Sequence, residues 1–444
     1  MTGVLLGEMA PEADGMGFSI AARAAGGPEH GSMLVCDDDG GLVTIAGTGA
    51  GKGVSHVIPA ALTWPGSLVV IDIKGEIAAV TARRRREMGQ AVVVIDPFNV
   101  TRFGEARQGL NPLDLVDAGH PDALDDCLML AAMLTPSRIT SDPFWDDRAR
   151  DAIAGAIAYV AAHGRGEMRT LRSVRRIWTG GERILAKALA GMKASPLFDG
   201  HLDSVAEQYL SMPERTQASV LASINNALEC LMSPAAAAAL TRSTIAPAAL
   251  TENQPTTIYL IMPPERLNSH SRLLRLWLGV ILTAITRRRR RPPTATLILA
   301  DEAAQLGRMD LLLQAASLMR GYGVRLWTFW QSLGQVEALY GREAATLIDN
   351  ASALCAFGMA NQSTADSVAA VTGWSGPLLG LPRDRLIVAR RGCPPMLARR
   401  INYLEHPNFR GMYDANPYHD PAHVAGSRPA CGATIRMRRA RRSG

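Results

Sequence analysis

The run Leu42-Val43-Thr44-Ile45-Ala46-Gly47-Thr48-Gly49-Ala50-Gly51-Lys52-Gly53 constrains this chain more than any other feature. An apolar, strand-like stretch ends in glycines at 47, 49 and 51, then a lysine, and a helix-like stretch begins at Val54. Glycines so spaced let consecutive backbone N–H groups turn toward one point, where Lys52 adds a cation and the following helix its positive end. Phosphate is the group that such a cradle suits. The run departs from G-x-x-x-x-G-K-[ST] at both edges, with Ala46 for the first glycine and Gly53 for the hydroxyl residue that ordinarily holds Mg²⁺. A glycine-rich turn is the plainer alternative, but it requires neither the strand before nor the helix after. Gly47, Thr48, Gly49, Ala50, Gly51, Lys52 and Gly53 are therefore the expected phosphate contacts.

A second signal lies far downstream at Leu297-Ile298-Leu299-Ala300-Asp301-Glu302. An apolar strand ending in two carboxylates places Asp301 at the carboxyl edge of a parallel sheet, where it can orient Mg²⁺, with Glu302 beside it to polarise a water. Alone the motif is common, and Asp301 capping a helix would explain it equally. Paired with Lys52 it points to nucleotide hydrolysis.

The alternation of elements sets the fold class. Strand-like Leu42–Ile45, Leu68–Ile73 and Val92–Ile95 alternate with helix-like segments from Gly51 and around Ile77–Arg86, which is the pattern of a parallel sheet covered by helices. From about Asp114 to Ala246 the chain turns alanine- and leucine-rich, including Asp146–Ala162 and Ala218–Leu231, with hardly a strand signal. Strands return at Thr256–Met262, Thr296–Ala300, Val324–Trp330 and Ala351–Phe357. An all-helical domain inserted into an α/β domain accounts for this, and it lets Lys52 and Asp301 meet in space. The expected division is 1–113 and 247–412 for the two parts of the nucleotide-binding domain, 114–246 for the insertion, and 413–444 for a basic, flexible tail.

The chain's 444 residues, 47% hydrophobic and 20% charged, describe a globular protein with room for two cores. The net charge of +6 is modest, but arginines cluster at 83–86, at 287–291 and at 436, 438, 439, 441 and 442. Each run offers contacts to nucleic-acid phosphate, and each is equally a solvated helix end. Six scattered cysteines without a C-x-x-C pair read as reduced thiols. His419 and His423 are spaced like metal ligands, but Pro417 and Pro421 flank them, so surface histidines are expected. No signal peptide opens the chain; Leu273–Thr286, the longest apolar candidate, contains Arg275 and is too short to span a bilayer, so a buried core helix is expected there.

The stretch from GTGAGKG through DIKGE to VVVIDP resembles the TraG-type coupling proteins of type IV secretion and conjugation, RecA-like ATPases of the wider FtsK/HerA group. The likeness runs on through Asn111-Pro112-Leu113, Asp142-Pro143-Phe144-Trp145, LILADEAAQLG, RGYGVRLWTFWQSLGQVEALYG and INYLEHPNF, the last resembling that family's final strand and turn. Both departures in the glycine loop are usual in that family. The resemblance implies a RecA-like P-loop NTPase with a mostly parallel central sheet and an inserted all-α domain, using ATP and Mg²⁺. It implies that Lys52 grips phosphate, Asp301 coordinates the metal, Glu302 activates water and Gln331 senses the γ-phosphate or couples it to substrate. Arg320 falls where these ATPases carry an arginine that acts on a neighbouring subunit's nucleotide; a cation at a helix carboxyl end is its plainer reading.

Asp72, Lys74 and Glu76 match a family motif whose chemistry the sequence does not reveal. The implied protein is a homo-hexameric motor at the cytoplasmic face of the inner membrane, delivering DNA, with a relaxase or effector protein, to the type IV secretion channel subunits. Members ordinarily begin with transmembrane helices and this sequence shows none, so indirect membrane association is expected. A soluble FtsK/HerA-like DNA translocase and a non-hydrolysing adaptor that recruits secretion substrates are the alternatives.

Overall fold

The computed structural model describes residues 3–9, 20–21, 32–101, 108–135 and 144–418. Among these, twelve strands form: β1 (Val4–Met9), β2 (Ile20–Ala21), β3 (Met33–Cys36), β4 (Gly41–Ala46), β5 (Leu68–Asp72), β6 (Ala91–Ile95), β7 (Thr256–Ile261), β8 (Thr296–Ala300), β9 (Val324–Trp330), β10 (Ala351–Phe357), β11 (Arg385–Arg390) and β12 (Met396–Arg399). They share one sheet in the order β2-β3-β1-β12-β11-β10-β4-β9-β8-β5-β7-β6. From β10 to β6 every pairing is parallel. From β10 to β2 every pairing is antiparallel.

The parallel strands read as continuous apolar runs because both faces are covered. Val43, Ile45, Ile71, Ile298 and Ala300 face one core, and their neighbours Leu42, Ala46, Val70, Leu297 and Leu299 face the other. The helix after the glycine loop opens as a π-turn, Gly53–Val57, and continues as the α-helix Ile58–Thr63. Pro59 explains the wide turn, since it has no N–H to offer Ser55 and its ring crowds that carbonyl.

Among the described residues between β6 and β7 the chain is helical, with Ala123–Leu134, Phe144–His163, Leu171–Thr179, Glu182–Lys193, His201–Leu210 and Glu214–Ala227 as its main members. These helices share one apolar core with the sheet face they cover. The join is the helix Leu267–Thr286, which is buried along most of its length, packs against Ala123–Leu134, and donates Trp277 Nε1–H to the Leu110 carbonyl at 3.1 Å. Among the described residues no helix is long and apolar enough to cross a membrane.

Several sequence expectations change here. Ile401 to Phe409 forms no strand; it holds a turn followed by the 3₁₀ turn Pro407–Phe409, and the last strand among the described residues is the preceding β12. Residues 413–418 are not free, since Arg83 pairs with Asp414 at 2.6 Å, Asn416 bonds Glu76 at 2.6 Å and the Tyr418 hydroxyl donates to the Lys74 carbonyl at 3.0 Å. Each of the two described arginine runs has one buried member. Arg85 is fully buried and donates to Thr257 Oγ1 and to the carbonyls of Ala61, Trp64 and Gly66. Arg288 is buried against the Leu250 carbonyl and Thr296, whereas Arg287, which pairs with Asp126, Arg291, which pairs with Asp39, and Arg289 and Arg290 are exposed. Cys36, Cys127, Cys230, Cys355 and Cys393 are free thiols. His419, His423, Cys431, the arginines 436–442 and Asp142-Pro143 lie outside the described residues.

One buried polar chain ties the antiparallel flank to the loop helix. Trp327 Nε1–H donates to Thr44 Oγ1 at 2.9 Å, the Thr44 hydroxyl donates to His56 Nδ1 at 3.2 Å, and His56 Nε2–H donates to the Leu6 carbonyl at 2.9 Å. Nδ1 can accept from the Thr44 hydroxyl only while the imidazole is neutral, and burial pushes His56 down to about 3 against the Leu6 hydrogen bond. An unfolded histidine titrates near 6.5, so the stabilisation is complete above that pH and is lost as pH falls toward 3, by about 2 kcal/mol at pH 5. Urea midpoints at pH 7.5 and 5.0 test this: the drop should be smaller by about that amount in His56→Gln than in the parent chain.

Candidate nucleotide site

The parallel ladder decides which side chains meet. Ile45 of β4 lies opposite Trp330 of β9, and Thr328 of β9 lies opposite Ala300 of β8, so the three strands end together. The loop from Gly47, the carboxylates Asp301 and Glu302, and Gln331 therefore emerge side by side. Gly47 N–H donates to the Gly358 carbonyl at 3.2 Å, and a Cβ at Gly47 would stand 2.7 Å from that oxygen, so the close approach of two backbones requires the glycine. Gly51 has φ +86, a left-handed conformation that aims the next amides inward.

Lys52 is buried, with 7% of its surface exposed, and its Nζ donates to Glu302 Oε1 at 2.9 Å and to the Ala46 carbonyl at 3.3 Å. Gln331 Nε2 donates to Glu302 Oε2 at 3.0 Å. Glu302 thus bridges the lysine and the glutamine. Its backbone lies at φ 55, ψ 54, which a residue with a Cβ rarely adopts, at a cost of about 1 to 2 kcal/mol. The 3₁₀ turn Ala303–Leu306 that follows has no side-chain cap, so Asp301 is not there as a helix cap.

Asp301 points inward, and its Oδ1 is sealed from solvent with no hydrogen-bond partner. Burial pushes its carboxyl up to about 7, with Glu302 adding, Lys52 opposing, and Asp72 and Glu76 adding further. A divalent cation at this edge would relieve that concentration of negative charge, and a magnesium ion that keeps waters and phosphate oxygens asks for only one or two carboxylates. Gly53 is not sterically required, because a Cβ there would meet nothing within 4 Å.

The motif Asp72-Ile73-Lys74-Gly75-Glu76 acquires a structural account. Asp72 ends β5, whose Ile71 pairs with Ala300, so it stands next to Asp301 on the same edge. Its carboxylate accepts from Ala78 N–H at 2.9 Å and Lys74 N–H at 3.3 Å, holding the turn into the helix Glu76–Glu87. Burial pushes Asp72 up to about 7 against those amide bonds, with Glu76 adding.

Arg320 is not brought to this cluster. It is exposed on the 3₁₀ turn Met319–Tyr322 that precedes β9, hence at the opposite edge of the sheet, about 20 Å from Gln331 at roughly 3.3 Å per residue. Leu318 and Tyr322 of the same turn are 69% and 45% exposed.

A residue that the sequence reading missed completes the loop. Arg400, just after β12, donates from Nη2 to the Gly51 carbonyl at 3.2 Å, from Nη2 and Nε to Ser55 Oγ at 2.8 and 3.1 Å, and from Nη1 to the Arg383 carbonyl at 2.8 Å. Its guanidinium lies 4.0 Å from the centre of the Phe357 ring. Burial lowers it to about 10, which still leaves it cationic at neutral pH. No local signal marks it, because it acts across nearly the whole chain.

A family model described as "Type IV secretory system Conjugative DNA transfer" matches residues 21–375. The chain is 30% identical over 342 residues to the conjugal transfer protein TraG of Agrobacterium fabrum, covering 74% of this chain and 51% of that protein. It is 30% identical over 310 residues to TraG of Rhizobium radiobacter, covering 68% and 47%. The chain therefore spans about half the length of these relatives. Its fold is shared with the plasmid coupling protein TrwB, solved in complex with ADP and Mg²⁺, at a TM-score of 0.65 and 16% identity over 82% of this chain and 85% of that one.

Arg400→Lys keeps the charge but cannot satisfy Gly51, Ser55 and Arg383 at once, so stability to urea should fall by about 1 to 3 kcal/mol. An unchanged midpoint would remove Arg400 from the support of the loop.

Proposed function

The chain belongs to the type IV secretory system conjugative DNA transfer family, and on that footing we propose that it is an ATP-hydrolysing coupling motor delivering DNA, with an attached relaxase or effector protein, to a secretion channel. The observation that carries the reading is Glu302, held in a costly backbone conformation between Lys52 and Gln331. A protein that merely bound nucleotide and recruited substrates has no use for that arrangement. ATP with Mg²⁺ supplies the scissile phosphoanhydride and a divalent countercharge. Lys52 and the amides of residues 47–53 would bind the phosphates, and Asp301 would hold the metal. Glu302 orients a water and takes its proton, while Gln331 fixes the second carboxylate oxygen.

Arg320 acts on a neighbouring subunit. Its place on the far edge, in an exposed turn with Leu318 and Tyr322, suits a subunit boundary in a ring, and a hexamer follows the family pattern. The helical segment between β6 and β7 is the inserted all-α part of each subunit, sharing an apolar core with one face of its sheet. Work at the inner membrane, through other proteins of the channel, completes the reading. Arg289 and Arg290 offer phosphate contacts without means to read bases.

The direct test compares two variants. Lys52→Ala should weaken nucleotide binding, because a point charge on the phosphates is lost. Glu302→Gln should bind nearly as the parent does while turnover falls by about two orders of magnitude or more, since its contribution is made in the transition state. Equal binding defects with similar residual turnover would contradict these roles.

A trans-acting arginine makes activity depend on assembly. Arg320→Ala, inactive alone, should regain part of its activity when mixed with Lys52→Ala, because some boundaries then hold one intact site and one intact arginine. Turnover strictly proportional to concentration in a monomeric sample would remove the ring and the shared site together.

A further inference from the structure

A cleft of 890 Å³ opens in the helical segment, between one face of Leu171–Thr179, one face of Glu182–Lys193 and the end of Phe144–His163. Its floor is apolar, formed by Val160, Ile177, Ile184 and Ala188. Arg165, Arg176, Arg183 and Lys187 stand exposed around it, and among the described residues no aspartate or glutamate lines it. The carboxylates of this segment pair with Arg148, Arg150, Arg169 and Lys193 instead. We propose that the cleft binds a short acidic peptide segment of a partner protein, with aliphatic side chains seated on the floor and carboxylates against the four cations.

The packing builds the cleft. Along Leu171–Thr179 the residues Leu171, Val174 and Trp178 turn to the core, while Ser173, Arg176, Ile177 and the following Gly180 keep the spacing of one helix side and face the cleft. Gly180 brings the next helix close, since a Cβ there would stand 2.6 Å from the Arg176 carbonyl oxygen and 2.7 Å from Ile184 Cδ1. The far end of Glu182–Lys193 is fixed to the helix Phe144–His163. A Cβ at Gly191 would overlap the Tyr159 hydroxyl, and His163 Nε2 hydrogen-bonds to Ser195 Oγ at 2.9 Å.

Charge and shape together choose the occupant. Cations gathered around one cleft repel one another, and a carboxylate among them removes that cost while matching the paired N–H donors of a guanidinium. A bare anion would leave the branched aliphatic floor in water, whereas leucine-like side chains cover it. Single-stranded nucleic acid asks for free aromatic faces on which bases stack. Tyr159 and His163 are the rings in this wall, and they lean on each other with centroids 5.0 Å apart. The twelve residues of Glu182–Lys193 run for about 18 Å, which about six extended peptide residues span.

Fluorescence anisotropy with three labelled probes tests the pairing: a peptide of about six residues alternating glutamate and leucine, the same length alternating glutamate and serine, and a thymidine oligonucleotide. The glutamate–leucine peptide should bind the parent chain saturably, and the glutamate–serine peptide should bind about tenfold more weakly or worse. Arg176→Glu combined with Lys187→Glu should weaken the glutamate–leucine peptide by about tenfold or more, while Arg215→Glu, exposed on Glu214–Ala227 and outside the cleft, should leave it within about twofold. The cleft shares no residue with the Lys52 loop, so ATP affinity should be the same in the doubly reversed variant as in the parent. Equal affinity of the glutamate–leucine peptide for the parent and the doubly reversed variant would overturn the site, and equal affinity of the two peptides would overturn the role of the floor. An oligonucleotide that binds the parent more tightly than either peptide and is lost in the same variant would make this a nucleic-acid groove and end the proposal. Should the double variant not fold by circular dichroism, Arg165→Glu with Arg183→Glu, both exposed, carries the comparison.

Discussion

Lys52 can reach Glu302 only because β4, β9 and β8 run parallel and end at one level. The two residues are 250 positions apart, and the hydrogen-bond ladder through β9 is what joins them. Because strand side chains alternate between faces, a one-residue slip anywhere in that ladder would turn Ile45 and Trp330 to the wrong cores and carry the lysine away from the carboxylate. The apolar runs that fill both cores therefore also set the site. The helical segment enters between β6 and β7, at the far end of the sheet order, where it adds core to one face without passing through the ladder.

Around that ion pair the local field is strongly negative. Asp72 and Asp301 stand on adjacent strands with Glu76 and Glu302 close by, and Lys52 is the buried cation facing them. Asp72 offsets its desolvation with amide bonds to the turn it organises, whereas Asp301 leaves Oδ1 without any donor. Burial of an unpaired carboxyl is costly unless a cation arrives or a proton stays. The difference between these two neighbours separates a structural carboxylate from one built to meet a ligand.

Much of this was legible in the sequence for a plain physical reason. Parallel strands covered on both faces announce themselves as short apolar runs, and β4, β8, β9 and β10 fall on the predicted stretches within a residue or so. Glycine spacing and the terminal Asp-Glu pair are local, so the loop and Asp301 were readable too. The antiparallel flank was not. β3 and β12 have four residues each and β11 begins and ends in arginine, so none carries a periodic signal long enough to stand out. Arg400 was missed for the same reason, because its function comes from that unread flank. The arginine runs misled in the opposite sense: Arg85 and Arg288 look like surface charge in a string of basic residues and are instead buried donors for carbonyl groups. Burial lowers both to about 10, still high enough to stay charged.

The antiparallel flank serves the glycine loop. The glycine loop is short, exposed at Thr48 and Gly49, and would be free to collapse if only Lys52 held it. It is instead held from behind: Gly51 and Ser55 by Arg400, and His56 by the Leu6 carbonyl of β1. Arg325 fastens the turn before β4 by donating to the carbonyls of Gly40 and Cys36. Donors fixed in advance lose little freedom when a phosphate arrives, which is what makes a cradle of backbone amides bind charge well in water. The five antiparallel strands are therefore more than an edge decoration on a parallel sheet; they bring Leu6 of β1 and Arg400 after β12 to the back of the loop.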